Sequence, residues 1–535
     1  MRIHLRLLAG LLFALALGQP MVTAATTANM ATTLRIASAF DPQTMDPQAL
    51  ALLYHTRVAF QIHESLLNRN QAFALEPSLA TGWKALSPTL WRFTLRPNVR
   101  FHDGTPFSAD DAVFSIERAM GPSSQRAFQL RGVAAVKKID ALTLELQLSS
   151  PDAALPEKLV YVAMMSRAWC RQHGVEKAQD FNAKQETHAV RHANGTGPFK
   201  LLSYEPDNRV TLQRHAGWWG WTPADPRNGN LETVRFVTIK SDATRLAALT
   251  SGEVDLVLDP PFQDVERLKR DATLKLASTT DLGTQYLTFD QARNELLHGD
   301  VKDRNPFKDR RVRQAVAHAI NVPLIIAKVL RGQAEATGSL FSPLVEGYDP
   351  ALDKRAAFDP ARARALLAEA GYPQGFGVTL DCVNIAWREA VCQAAAAMLT
   401  QVGIRTTLRS APTNQFFPKL SQATASFIEY GWTPTIDPWN SLNALLRSWD
   451  PQGGGTFNAG RYSNPQLDAL LDAIRTEPDA QRRRARIGVA LRLIADDLPY
   501  LPLYRRKLNW VMSKHVQLVQ WPNDTLELRW VKLAR

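Results

Sequence analysis

Residues 101–107 read FHDGTPF. A histidine beside an aspartate is the pairing that can orient an imidazole as a general base, so acyl transfer is the first chemistry to test. Its companions are missing. The chain holds no G-x-S-x-G elbow and no S-x-x-K, and HESLL (63–67) lacks the second histidine of a zinc-protease helix. Three cysteines, Cys170, Cys382 and Cys392, match no zinc spacing. Cys382 follows the apolar run GVTLDC and Cys392 lies in the helical-looking REAVCQAAAAMLTQVG, ten residues on. A strand end and an early helix turn can meet, so a Cys382–Cys392 disulfide with Cys170 free is expected. No catalytic residue, metal or cofactor is assigned.

The elements around the His-Asp pair explain it as architecture. Trp91, Phe93 and Leu95 alternate as on a strand with one buried face. Pro97-Asn98 turns, Phe101 resumes an extended run, and His102-Asp103-Gly104-Thr105-Pro106 turns again. Ser108 then caps a helix, with Asp111 completing a capping box and Ala112, Val113, Ile116 and Ala119 as its buried stripe. Elsewhere a strand-then-helix grammar recurs, which defines an α/β chain. TLRIASAF (33–40) and LTLELQL (142–148) read as strands. FDPARARALLAEAGYP (358–373) and SNPQLDALLDAI (463–474) read as helices, each with a cap followed by proline.

The chain has 535 residues, 63 Lys+Arg against 51 Asp+Glu, and a net charge of +12. Length suggests two to four units. The charge is dispersed. Its densest run, Arg482 to Arg486, reads as the solvated face of an amphipathic helix, and no nucleic-acid motif accompanies it. At the start, Arg2 and Arg6, an apolar Leu7–Leu17 stretch and Val22-Thr23-Ala24 follow the order of a cleavable signal peptide (1–24); a buried N-terminal helix is the alternative. The run is too short to span a bilayer. No cysteine lies near the cut, so an unlipidated, unanchored chain starting near Ala25 is expected outside the cytoplasm.

The stretch LWRFTLRPNVRFHDGTPFSADDAVF (90–114) resembles the signature of the family-5 solute-binding proteins of ABC importers, the dipeptide and oligopeptide binders. TMDP (44–47), ESLL (64–67), GTGPFKL (195–201), YLTFD (286–290), DRRVRQAVAHAIN (309–321), YGWTPTIDPWN (430–440) and LPYLPLY (498–504) are similar to further landmarks of that family. The resemblance implies a two-lobed periplasmic-binding-protein fold with the ligand cleft between lobes. Lobe I would be discontinuous: 25–280, with an extra subdomain at about 70–195, and a C-terminal return at 498–535. Lobe II would be inserted at 281–497. It also implies a monomer that delivers a peptide or peptide-like solute to inner-membrane ABC permease subunits.

Site residues follow by the same resemblance. Gly431 and Trp432 would give a backbone edge and an indole wall. In the family an acidic residue three positions after this tryptophan pairs with the peptide's terminal ammonium. Here that position is Thr435, which carries no charge, and Asp437 is the nearest substitute, unless it is a turn residue before Pro438. Arg388 is placed to grip a ligand carboxylate, for which a guanidinium fork is suited; a surface arginine is the other reading. Phe416, Tyr286 and Phe40 would line the cavity. A secreted hydrolase, or a non-transport sensor or holdase on the same fold, remains as the alternative.

Overall fold

The computed structural model describes residues 32–222, 225–450, 454–477 and 479–534. The expected signal peptide lies outside the described residues. Two lobes share one twelve-stranded sheet. In lobe I, Thr33–Ser38 runs parallel to Thr233–Thr238, whose other edge carries the antiparallel strands Arg209–Arg214 and Phe199–Glu205. In lobe II, Phe376–Val383 and Ile404–Ala411 run parallel, joined by the helix Ala386–Gln401, and Phe427–Trp432 pairs antiparallel with Thr284–Phe289.

One fourteen-residue strand, Tyr500–Ser513, connects the lobes. Its first part pairs with Thr284–Phe289 and Ala334–Ala336, and its second part with Leu274–Thr280 and Leu256–Val257. The chain therefore crosses between lobes twice at one place, near 281–283 and near 505–507. Asp281 fixes this crossing: its carboxylate pairs with Arg506 Nη2 at 2.8 Å, and its amide donates to the Arg506 carbonyl at 2.8 Å.

A separate four-stranded antiparallel sheet, in the order Ala80–Ser87, Leu90–Leu95, Thr143–Leu148 and Val133–Asp140, packs on the helix Ala109–Met120. That helix starts with the expected capping box, Ser108 and Asp111 each receiving a backbone N–H. Phe93, Leu95, Phe101 and Ala112 are buried in the core between this sheet and the helix. Among the described residues, no helix is long and apolar enough to cross a membrane.

Candidate functional site

The His102–Asp103 pair does not form a catalytic dyad. His102 Nε2 meets the Gly197 carbonyl at 2.9 Å, and its backbone N–H donates to Gly195. Asp103 instead accepts from the Thr105 amide and hydroxyl and from Asn194 Nδ2. Burial pulls His102 down to about 3, so the ring is neutral. The turn docks on the GTG segment, whose glycines press against the Ile62 backbone; a Cβ at Gly195 would lie 1.9 Å from the Ile62 carbonyl oxygen.

The richest polar geometry lies where Thr284–Phe289 meets Phe427–Trp432. Strand alternation sends Tyr286 to one face and Gln285 and Leu287 to the other. Tyr286 is fully buried, with its ring 5.7 Å from Tyr430 and 4.9 Å from Tyr500. It is a core residue here, and burial drives its phenol well above the ordinary range. Gln285 faces Gly431 across the ladder, and a Cβ on Gly431 would lie 2.4 Å from the Gln285 amide. Glycine thus lets the Gln285 side chain lie over the strand. Trp432 donates through Nε1 to Ser441 Oγ at 2.9 Å, and its ring lies 5.3 Å from Phe457, which is exposed. The neighbouring strand on the other edge, Phe376–Val383, registers with Ile428 through Asp381 and has ended before Gly431. That edge of Gly431–Trp432 has no strand partner among the described residues.

Arg388 sits in the first turn of Ala386–Gln401 and reaches the same face of the sheet. Its Nε and Nη2 donate to Glu429 Oε2 at 2.8 and 2.6 Å, and Nη2 also reaches the Glu429 carbonyl. Glu429 is fully buried; burial pushes its carboxyl up and Arg388 pulls it down. Arg388 is therefore internally neutralised rather than a free cation, with only Nη1 left without a partner among the described residues. Beside it, the Cys382 and Cys392 sulfurs are bonded, tying the strand end to the helix that carries Arg388. Cys382, Cys392 and Glu429 bring metal-ligand atom types together, but bonded sulfurs offer no thiolate.

Asp437 is likewise engaged. It accepts from the Trp439 amide at 2.8 Å, at the start of the helix Trp439–Leu445, and pairs with Arg483 Nη2 at 2.6 Å. Burial raises its carboxyl and Arg483 opposes this. The Thr435 hydroxyl donates to the Asp437 carbonyl at 2.7 Å. Phe416 is buried in the lobe II core; its neighbour Phe417 is the exposed ring, 6.3 Å from Tyr430.

In lobe I, Phe40 is 55% exposed and stacks on Tyr54 at 5.4 Å and 15°. An apolar side chain left open beyond the end of a central strand, and held flat by a second ring, is a ready-made wall for a ligand. From the opposite lobe, Trp387 approaches Phe262 at 6.2 Å, and the Arg506 guanidinium lies 5.2 Å over its ring.

Tyr54, Gln285, Trp387, Glu429 and Phe457 were not singled out from sequence. Glu429 had a readable signal: a lone acid in the apolar run SFIEYGW needs a buried cationic partner. Trp387 adjoins Arg388. Nothing in the sequence marks Phe457 or Tyr54.

The chain is similar to known proteins along most of its length. The model of the bacterial extracellular solute-binding proteins, family 5 (middle), matches residues 74–453. The glutathione-binding protein GsiB of Shigella boydii serotype 4 is 26% identical over 492 residues, 88% of this chain and 89% of that one. GsiB of Escherichia coli K12 is 25% identical over the same length. The structure of the periplasmic binding protein DppA from Helicobacter pylori, in complex with the peptide STSA, superposes with a TM-score of 0.75 at 24% identity, covering 94% of this chain and 98% of that one. HbpA2 from Haemophilus parasuis gives 0.79 at 23% identity, covering 94% and 100%.

Proposed function

The chain belongs to the family 5 bacterial extracellular solute-binding proteins, and we propose that it captures a small acidic peptide, of the glutathione type, between its lobes. The loaded form would be handed to the inner-membrane permease of an ABC importer. The protein would act as a monomer in the periplasm, after loss of a leader ending near Ala24, without lipidation.

The observation that carries the ligand class is the Gly431–Trp432 edge. A backbone edge without a strand partner accepts an extended peptide by main-chain hydrogen bonds, while neighbouring side chains select its substituents. Trp432 and Phe457 on one side, and Phe40 on Tyr54 on the other, supply apolar walls. Arg388 Nη1 supplies a donor for a carboxylate. The acids near this edge are occupied: Glu429 by Arg388, and Asp437 by Arg483. A ligand ammonium therefore meets no free carboxylate at the family position, where Thr435 stands. A peptide whose ammonium is compensated by its own neighbouring carboxylate, as in a γ-glutamyl peptide, suits this arrangement. The relatives named for glutathione support the reading. Closure on such a ligand requires only that the closed form bind it better than the open form.

Calorimetry with glutathione, a γ-glutamyl dipeptide and an α-linked dipeptide tests the proposal, alongside mass spectrometry of the ligand released from natively purified protein. Glutathione or another γ-glutamyl peptide should bind most tightly and be returned unchanged. A cationic native ligand, or turnover of the peptide, would overturn it.

A further inference from the structure

Lobe II carries a cavity of about 290 Å³ whose lining shares no residue with the candidate interlobe site. The C-terminal turn of the helix Arg310–Ala319, the helix Pro360–Glu369 and the start of Tyr500–Ser513 wall it, together with the 354–356 segment. Its titratable lining is all basic: His318, Lys354, Arg355 and Arg362. No acid is among the lining residues. Asp353, one residue away, pairs with Arg505 and accepts from the Thr337 and Tyr348 hydroxyls. Asp359 caps the helix by accepting the Arg362 amide. Glu369 takes Arg362 Nη1 from outside the lining, and Asp349 faces an adjoining cavity.

Arg355 is an exception, shared with the buried Arg126, which also has no carboxylate within 4.0 Å among the described residues. The protein's enclosed arginines usually hold a carboxylate within 4.0 Å, as Arg69, Arg118, Arg313, Arg388 and Arg483 do. Arg355 has none among the described residues. Its Nη1 donates to the carbonyls of Pro502 and Thr337, and its Nη2 is enclosed with no partner among the described residues. Burial pulls its guanidinium down to about 10, with Asp353 the only opposing charge. An enclosed cation without a counter-charge is costly unless an anion completes it.

We propose that this cavity is a second binding site, for a phosphate-class oxyanion held by Arg355 and Lys354, with Arg362, already paired with Glu369, at its edge. Several converging cations suit a multiply charged oxyanion rather than a single carboxylate, and a guanidinium fork matches the phosphate geometry. The same chemistry is offered by free phosphate and by the headgroup of an anionic phospholipid.

The experiment measures binding of inorganic phosphate to the full chain by calorimetry at low ionic strength. In parallel it measures binding to phosphatidylglycerol and phosphatidylcholine vesicles by flotation. Variants are Arg355→Gln, which keeps a donor for Pro502, and Lys354→Glu at an exposed position. Arg364→Glu is the control: it makes the same charge change on the same helix as Arg362 without lining the cavity. Saturable phosphate binding weakened by roughly tenfold or more in Lys354→Glu and Arg355→Gln, but not in Arg364→Glu, supports a free-phosphate site. The same ordering seen only with phosphatidylglycerol vesicles assigns the headgroup. Absence of binding in both arms, or equal weakening by Lys354→Glu and Arg364→Glu, overturns the proposal. Should Arg355→Gln fail to fold, Lys354→Glu decides alone.

Discussion

Replacing Arg388 by alanine should unsettle the fold before it touches the ligand. Glu429 is fully buried and two guanidinium nitrogens hold its Oε2, while its Oε1 has no partner among the described residues. Removing one member of such a buried pair costs about 3–5 kcal/mol, because the other charge is left unsolvated. The deficit must depend on pH, with a definite sign. Burial raises the Glu429 carboxyl above its ordinary value of 4.5, and Arg388 is the main influence lowering it. A carboxyl whose folded pKa exceeds its unfolded one binds more protons when folded. Its contribution is most favourable below the unfolded value and is lost as pH rises through the folded value. Without Arg388 the folded value rises further, so the window widens upward. The deficit should therefore be small near pH 5 and grow toward pH 8, by up to about 1.4 kcal/mol per pH unit until the new folded value is passed. Urea unfolding followed by tryptophan fluorescence at both pH values measures it, and the pair Arg388→Met with Glu429→Leu should recover most of the loss. A deficit that is absent at pH 8, or equal at pH 5 and 8, would refute the reasoning. Any ligand affinity of the single variant is then to be read at the lower pH, where the fold is least disturbed.

Glu64 is buried with the Trp219 indole donating to it, and burial pushes it up to about 7. Its raised value destabilises the fold as pH climbs from 4.5 through 7, so Glu64→Gln should gain ~1–3 kcal/mol over the parent at pH 8 and nothing at pH 5, by the same denaturation assay. Thiol titration without reductant should find one group after unfolding, Cys170, and none before it, because burial lifts that thiol to about 12; three thiols after unfolding would reject the Cys382–Cys392 bond. Asp437→Asn should lower stability by about 1.5–3 kcal/mol, because Arg483 loses one charge-assisted contact but keeps Glu346 at 2.8 Å, while calorimetry shows ligand affinity within about threefold of the parent; a large affinity loss with unchanged stability would place Asp437 in the ligand site.

The local signals that were legible from sequence are those in which one residue answers to its own backbone. Ser108 with Asp111, Asp359 before Pro360, and Asn464 before Pro465 cap the helices they mark. Gly371 takes φ +87° where the chain leaves a helix. The family itself was legible for a related reason: its longest motif packs a strand, a turn and a capped helix into consecutive residues, so the pattern survives without any tertiary information.

The side chains of the candidate site follow different physics. Whether Tyr286 or Gln285 faces Gly431 is one bit of strand alternation, and a shift of one residue exchanges the two. The bulge between Gln285 and Tyr286 against the 500–513 strand lies at that position. The same ambiguity separates Phe416 from Phe417. Charged residues are harder still, because their availability depends on partners far along the chain: Arg388 on Glu429, Asp437 on Arg483, Asp353 on Arg505. A local motif can say that an arginine stands near the cleft. It cannot say that its charge is already spent, and that distinction separates a site for any carboxylate from one that offers a single remaining guanidinium nitrogen. At the proposed site, selectivity would rest less on which charges are present than on which are left over once the interior is neutralised. By that criterion Thr435 matters as much as Arg388, since an acid there would be the one free anion at the Gly431–Trp432 edge.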